Sequence, residues 1–396
     1  MQVYSQMMSF FKEVAATWRK TQIVNLTILA AAILSRKSLS VAELARAYPK
    51  KQQRKVERPK HGLWHRLKRL RRFLNNPRLD LEAVFLSLLR LSYSVCRSPG
   101  LLLPVLLDPT YFGNYTTVVA AVPRSGRALP IAWRVFRRNL DGEVELSQNQ
   151  IVHKLVREVV RRIDGVAQMV LVADREFATA RFFRFLKGLE AEFAIRVDGE
   201  TWMIHPDYSG PLAGLLIGRG GKRLWFEGAL YGKGEREPVN ILVVWQADQR
   251  EPWFIATSLG DPKLAERLYR KRMKIEHGFR DWKHHLRLKG TLKVEAVERA
   301  ERLISVVALL YWFISLVGMR LNRPMHRAEV SYWGKPSFFT LALQLLQAGD
   351  EAALRAAERL ARWAQDKLFG LKPLLPNYKY RYLRFRACLL HRSGSP

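Results

Sequence analysis

The stretch "LLLPVLLD", residues 101–108, is apolar at nearly every position and ends in an aspartate. A run that is apolar on both faces predicts a strand in the middle of a sheet covered by helices. A second run, "MVLVAD" at residues 169–174, has the same composition and the same ending. Because ligands gather at the carboxyl ends of strands in open α/β sheets, Asp108 and Asp174 would lie close together if these strands are neighbours.

The sequence around these two runs predicts the rest of a sheet. "NYTTVVAAV" and "ALPIAWRVF" flank the turn "PRSGR", which indicates a β-hairpin. An amphipathic helix pattern, "LSQNQIVHKLVREVVRRID", precedes the second aspartate strand, and "EFATARFFRFLKGLEA" and "EFAIRVD" follow it as a helix and a strand. The order strand, strand, strand, helix, strand, helix, strand predicts an α/β fold with a mixed sheet covered by helices.

The remaining sequence indicates a multidomain chain of 396 residues. Strand-like patterns broken by Gly-rich turns predict a β-rich insertion that interrupts the core, and helical patterns predict the two terminal regions. The expected limits are 1–98 for the helical basic region, 99–198 and 261–325 for the core, 199–260 for the insertion and 326–396 for the helical C-terminal region.

The charge of the chain points to an anionic partner. The sequence has 67 Lys and Arg against 35 Asp and Glu, a formal net charge of +32. Nucleic acid is the first candidate and an acidic membrane surface the second. In "HGLWHRLKRLRRFL", residues 61–74, leucines at helical spacing predict a packed face, which leaves Lys68, Arg69 and Arg72 opposite to it for contacts with DNA. The alternative is a basic face that only contacts solvent.

Other features favour a DNA-bound protein of the cytoplasm over a membrane protein. The apolar run "LISVVALLYWFISLVGM", residues 303–319, is about as long as the shortest spanning helix. It continues an amphipathic pattern, so a helix buried in a large core explains it better. The N-terminus shows no secretory signal. The only two cysteines, Cys96 and Cys388, predict neither a disulfide framework nor a zinc site. We expect association with the nucleoid and no small-molecule substrate.

A basic stretch, "YRKRMKIEHGFRDWK" at residues 269–283, holds a glutamate at its centre. A helix rotates by about 100° per residue. The side chains of Tyr269, Arg272, Glu276 and Lys283 would therefore project within roughly 60° of one another, and Arg280 would lie close to them. The alternative is a solvated face on which Glu276 forms only i,i+4 pairs with its basic neighbours.

Glu276 could instead complete a site with the two strand-end aspartates. Carboxylate oxygens are hard ligands that suit Mg²⁺ or Mn²⁺. Two such ions about 3.5–4 Å apart stabilise the attacking and leaving oxygens of a phosphodiester displacement. Taken singly, Asp108 or Asp174 could also begin a turn or cap the next helix.

Three motifs carry a resemblance to a known family. "LDPTYFGN", "ADREF" and the pattern Y-x2-R-x3-E-x6-K that ends at Lys283 resemble the acidic motifs of prokaryotic DDE transposases of the insertion-sequence-four family, and the last resembles that family's YREK signature. The likeness covers residues from about 101 to 322 and implies an RNase H-like core. It further implies that Asp108, Asp174 and Glu276 are catalytic and bind two metal ions.

The resemblance also implies a reaction and its partners. Tyr269, Arg272 and Lys283 would contact phosphates of the transposon end, and Trp253 in "EPWFIATSLGDP" would stack on a flipped base, with Trp245 as a competitor. The enzyme would cut at the terminal inverted repeats and transfer the 3′-hydroxyl into target DNA as a homodimer. Arg175 is a phosphate contact or a structural residue. Two alternatives are a structure-specific nuclease without strand transfer and an inactive DNA-binding repressor.

Overall fold

The computed structural model describes residues 2–36, 38–48, 62–95, 102–137, 147–163, 167–220, 223–286, 296–321 and 337–368. Both cysteines and the basic-aromatic segment "YKYRYLRFRACLLHR" lie outside these ranges. The predictions for those segments therefore stay predictions.

Ten strands in the described part of the chain form one sheet in the order β3-β2-β1-β4-β5-β10-β9-β8-β6-β7. β1 is parallel to β4 and β4 is parallel to β5, whereas the other neighbouring pairs are antiparallel. The strands are β1 Leu102–Phe112, β2 Tyr115–Arg124, β3 Arg127–Arg137, β4 Gln168–Ala173, β5 Glu192–Val197, β6 Trp202–His205, β7 Tyr208–Pro211, β8 Leu224–Tyr231, β9 Glu237–Val244 and β10 Trp253–Thr257.

Twelve α-helices flank this sheet or form the helical regions within the described ranges. They are α1 Gln2–Val14, α2 Lys20–Arg36, α3 Val41–Arg46, α4 Gly62–Leu74, α5 Leu81–Val95, α6 Gln148–Ile163, α7 Ala180–Lys187, α8 Pro262–Tyr269, α9 Met273–Arg280, α10 Val297–Leu321, α11 Phe338–Ala348 and α12 Glu351–Leu368. A 3-10 turn, Arg270–Arg272, joins α8 to α9, and a π-helical turn, Asp281–His285, follows α9.

The two runs of apolar residues became the adjacent central strands β1 and β4. Five consecutive side chains are buried in each of them, which is why both sequences lack the alternation of a half-exposed strand. A mixed sheet with flanking helices confirms the predicted α/β fold class and is consistent with an RNase H-like fold.

The predicted β-rich insertion continues the same sheet. β10 pairs with β5 from Phe254 opposite Val197 to Thr257 opposite Ala194, and β9 and β8 follow outward. Backbone hydrogen bonds therefore link residues 199–260 directly to the core. The exact limits of the four regions stay predictions.

Helix α10 is long and apolar enough to cross a membrane, yet 89% of its most apolar window is buried inside the protein. Two of its polar side chains find partners there: Trp133 Nε1 donates to Ser305 Oγ at 3.1 Å, and Trp312 Nε1 donates to Pro130 O at 2.5 Å. This burial supports the prediction of a core helix.

Gly318 allows α10 to touch the start of α11. A Cβ at this glycine would lie 2.1 Å from the carbonyl oxygen of Phe338, a distance that neither backbone tolerates. We expect Gly318→Ala to lower the free energy of unfolding by about 1–3 kcal/mol, because the two helices must separate. Urea unfolding measures the change. Gly188→Ala is the control, since its Cβ would meet nothing closer than 3.5 Å; equal losses in the two variants would contradict the prediction.

Candidate active site

Asp174 follows the end of β4 as predicted, whereas Asp108 lies inside β1, which continues to Phe112 because its antiparallel pairing with β2 outlasts its parallel pairing with β4. Leu107 of β1 is level with Ala173 of β4 in the parallel ladder, and each is followed directly by its aspartate. Asp174 precedes a 3-10 turn, but its side chain makes no capping hydrogen bond there, and its Oδ1 is buried without a hydrogen-bond partner. Capping therefore does not explain this aspartate, and its Oδ1 is available to a ligand.

One guanidinium brings the three predicted carboxylates together. Arg272 Nη1 lies 3.8 Å from Asp108 Oδ2 and 3.6 Å from Asp174 Oδ2. Its Nη2 donates to Glu276 Oε1 at 2.5 Å. The side chain of Arg272 is 9% exposed, so the charges meet in a partly dehydrated site. Three carboxylates that are distant in the sequence thus meet at one guanidinium.

The electrostatics of this cluster favour additional positive charge. Burial raises the pKa of Asp108 to about 7; Arg272 opposes this shift, and Glu176, Glu276 and Asp174 reinforce it. Burial also raises the pKa of Glu176, with Asp174 adding to the effect. A single guanidinium therefore does not offset the cost of burying Asp108 beside three other carboxylates.

The raised pKa of Asp108 makes stability depend on pH. The folded carboxyl keeps a proton that the unfolded chain releases above its pKa of 3.8, so stability falls as pH rises toward 7. In the presence of chelator at about pH 8, we expect Asp108→Asn to be more stable than wild type, by at most about 4 kcal/mol. Below about pH 4 the difference should vanish, because the carboxyl is then protonated in both states.

Thermal unfolding across this pH range measures the effect. Asp207→Asn is the control, because the side chain of Asp207 is 80% exposed. An Asp108→Asn variant less stable than wild type at about pH 8 would show that the carboxylate stabilises the metal-free protein.

The predicted helix over residues 269–283 is not uniform. It consists of the end of α8, the 3-10 turn, α9 and the π turn. A 3-10 turn has fewer residues per turn than an α-helix and a π turn has more. Their effects on the directions of the side chains that follow therefore oppose each other. Lys283 consequently remains near Asp108, whose carboxylate opposes the lowering of the Lys283 pKa by burial.

Asp281, the other acid of this stretch, faces the core. It is 1% exposed and accepts hydrogen bonds from Arg127 Nε at 2.5 Å and Nη2 at 3.3 Å. Arg127 follows the β2–β3 turn, where Ser125 and Gly126 have positive φ values of 44° and 80°. This ion pair fixes the π turn to the hairpin, and sequence reasoning missed it because the partners are 154 residues apart.

Trp253 lies against the signature stretch. Its ring packs edge-to-face on Tyr269 at a centroid distance of 5.0 Å, and Arg270 lies over it at 5.6 Å. Tyr269 is 3% exposed, and burial raises its pKa to about 12. Trp245, in contrast, donates Nε1 to Gln249 O at 3.2 Å within its own loop. This geometry favours Trp253 over Trp245, and the stacking role itself stays a prediction.

The other predicted DNA contacts lie in different surroundings. Arg175 pairs with Asp198 at 3.3 Å, with both side chains more than half exposed, and Arg280 is exposed on α9. Lys68 and Arg72 are exposed on α4. Their DNA contacts stay predictions.

Arg69 differs from its predicted place on the exposed face of α4. It is half-buried, donates from Nε to Asn25 Oδ1 at 2.7 Å and lies over the Tyr48 ring. A helix whose leucines recur every three or four residues leaves such a position at the edge of the packed face. Arg71, instead of Arg69, is exposed on this helix.

Two further candidates were missed by the sequence reasoning. Glu176 lies within the motif "ADREF", and its nearness to Asp174 could have identified it. Trp64 on α4 is 58% exposed among basic side chains, an unusual environment for a tryptophan.

The carboxylates fit hard divalent cations. No group of three His, Cys, Asp or Glu side chains in the described ranges is already arranged around one position, and Arg272 lies where such a position would be. The donor set is nevertheless all carboxylate, and Asp174 Oδ1 lacks a partner. Both features suit Mg²⁺ or Mn²⁺, which Asp108, Asp174 and Glu276 would hold.

One family of known proteins matches part of this chain. Residues 147–313 match the family described as the transposase DDE domain. This range contains Asp174 and Glu276 and begins after Asp108. No curated protein matches the chain. A piggyBac transposase synaptic complex with hairpin DNA is similar over 98% of this chain and 83% of its own, at 8% identity and a TM-score of 0.44. The family match supports a DDE transposase; the insertion-sequence-four family and the YREK signature stay predictions.

Proposed function

We propose that this protein is a DNA transposase that cleaves phosphodiesters at transposon terminal inverted repeats and joins the freed 3′-hydroxyl to target DNA, as in the insertion-sequence-four family. The observation that carries the proposal is the convergence of Asp108, Asp174 and Glu276 on Arg272, next to the point where the parallel pairing of β1 with β4 ends. The match to the transposase DDE domain over residues 147–313 supports it.

Each part of the site has a task in this reaction. Two divalent ions held by the three carboxylates would supply Lewis-acid stabilisation of the attacking and leaving oxygens. Lys283 and Tyr269 hold the phosphates next to the cut. Trp253, half-buried beside Tyr269, stacks on an unpaired base at the transposon end. An aromatic face stabilises a stacked base by about 1–3 kcal/mol whatever its identity.

The protein acts on two transposon ends in one complex, and we propose a homodimer that supplies two such sites. The net charge of +32 supports DNA as the partner. The cytoplasmic nucleoid is the compartment in which that partner lies.

A plasmid assay separates the three candidate functions. The purified protein is incubated with Mg²⁺ and a supercoiled plasmid that carries the DNA ends flanking its gene. Excised and rejoined products are expected. Cleavage without joined products would identify a nuclease, and neither product would identify a DNA-binding repressor.

The exposed face of α4 is the proposed contact for the inverted repeat. It presents Trp64, Lys68, Arg71 and Arg72, while Leu70, Phe73 and Leu74 pack inward. Cations that contact phosphates make affinity fall steeply with salt, and an aromatic ring that contacts a base edge or face does not.

Two substitutions on this face separate these contributions. Affinity of the wild type should fall by about 10³ between roughly 50 and 200 mM salt. Lys68→Ala should lower the slope of log affinity against log salt by about 1. Trp64→Ala should weaken binding by about tenfold with an unchanged slope. Fluorescence anisotropy with labelled end DNA measures both; identical slopes for wild type and Lys68→Ala would exclude a phosphate contact at that residue.

A further inference from the structure

Arg272 is placed where the proposed reaction needs metal ions. Its guanidinium lies within 3.8 Å of oxygens from all three carboxylates, and the residue as a whole is 7% exposed. A buried guanidinium and a divalent cation at the same carboxylates repel each other strongly, because the surroundings screen charge poorly. The two cations are therefore alternatives at this position.

Arg272 lies at different distances from the three carboxylates, so they do not hold its guanidinium equally. Of the three carboxylates, only Glu276 is within hydrogen-bond distance, whereas the separations from Asp108 and Asp174 are those of ion pairs without hydrogen bonds. Asp174 Oδ1 remains without a partner. The guanidinium thus neutralises part of the charge and leaves coordinating oxygens unsatisfied.

The same side chain can bind the other anion of the reaction. A guanidinium is a planar fork of donors that fits a phosphate as well as a carboxylate. Arg272 ends the 3-10 turn and lies one turn from both Tyr269 and Glu276. Its long side chain can change partner by rotation about its own bonds.

We propose that Arg272 exchanges partners: it neutralises the catalytic carboxylates in the metal-free protein, divalent cations displace it, and the released guanidinium binds a DNA phosphate. This inference rests on the proposed function. The linkage between the two ligands is reciprocal. If DNA that binds Arg272 tightens cation binding by a given factor, cations must tighten DNA binding by the same factor.

Mn²⁺ binding without DNA tests the first half of the exchange. Free and bound Mn²⁺ are distinguished by paramagnetic resonance for the wild type, Arg272→Met, Arg272→Lys and the control Arg267→Met, whose side chain is exposed on α8. Arg272→Met should bind Mn²⁺ at least about tenfold more tightly than wild type, since no internal cation has to be displaced. Arg267→Met should match wild type. Equal or weaker Mn²⁺ binding by Arg272→Met would overturn the proposal.

Two further variants make the Mn²⁺-binding result unambiguous. Arg272→Lys preserves the charge and should bind Mn²⁺ about as the wild type does, so it remains informative if Arg272→Met does not fold. Arg272→Met with Glu276→Gln should lose the tighter binding, which places the ion at the carboxylates. Retained tight binding in this double variant would also overturn the exchange.

A duplex copied from the DNA flanking the gene tests the second half. It should tighten Mn²⁺ binding to the wild type and have a much smaller effect on Arg272→Met. An equal effect on both proteins would refute the transfer to DNA. If the plasmid assay gave no products while Mn²⁺ binding followed the expected pattern, only the proposed reaction would be refuted. Failure of the proposed function and failure of the Arg272 exchange are therefore distinguishable.

Discussion

Glu276→Gln is expected to reduce metal-dependent cleavage of transposon-end DNA by about 10³-fold or more. The carboxylate is one of three that converge on Arg272, and the amide cannot carry the negative charge that a hard cation requires. Loss of several kcal/mol of transition-state stabilisation corresponds to a rate loss of this size. Single-turnover cleavage of an end-labelled duplex measures it.

DNA binding measured with chelator should not weaken in this variant, because the neutral amide adds no repulsion toward phosphate. Glu351→Gln is the matched control, since the side chain of Glu351 is 83% exposed on α12. Its cleavage rate should be unchanged. Wild-type cleavage by Glu276→Gln would refute the assignment of the site.

Arg127→Met is expected to lower the free energy of unfolding by about 3–5 kcal/mol. The substitution leaves Asp281, only 1% exposed, as a buried charge without its guanidinium partner. The π turn that carries Lys283 loses its attachment to the β2–β3 hairpin at the same time. Chemical unfolding followed by circular dichroism measures the loss.

A double-mutant cycle identifies the cause. Replacing both members of a buried pair by apolar residues is often neutral or stabilising, so Arg127→Met with Asp281→Leu should recover most of the lost stability. Additive losses in the double variant would show that the two residues act independently. Arg355→Met is the control, because its pair with Glu351 is exposed and its loss should cost less than about 1 kcal/mol.

The central strands and the aspartates were predictable because their signals are local. Uninterrupted apolar residues identify strands buried on both faces, and each aspartate directly follows such a run. Parallel pairing then places the two aspartates level with each other, as the paired positions of Leu107 and Ala173 show, although β1 continues beyond Asp108. The helical spacing of Arg272 and Glu276 similarly predicts that they contact each other.

Contacts that depend on tertiary packing were beyond the sequence. Arg272 was expected at DNA phosphates, and nothing in its spacing indicates two more carboxylates from β1 and β4. Arg69 was expected on the exposed face of α4, but Asn25, 44 residues away, accepts its hydrogen bond. A cation has many potential anionic or polar partners, and only the fold selects among them.

The pairing of β10 with β5 has a consequence for engineering. Deleting residues 199–260 would remove β10, which pairs with β5. The unpaired amide and carbonyl groups of β5 would then be exposed to other molecules, which promotes self-association. Shortened variants should therefore keep β10 and trim from the far margin, where β7 is only four residues long.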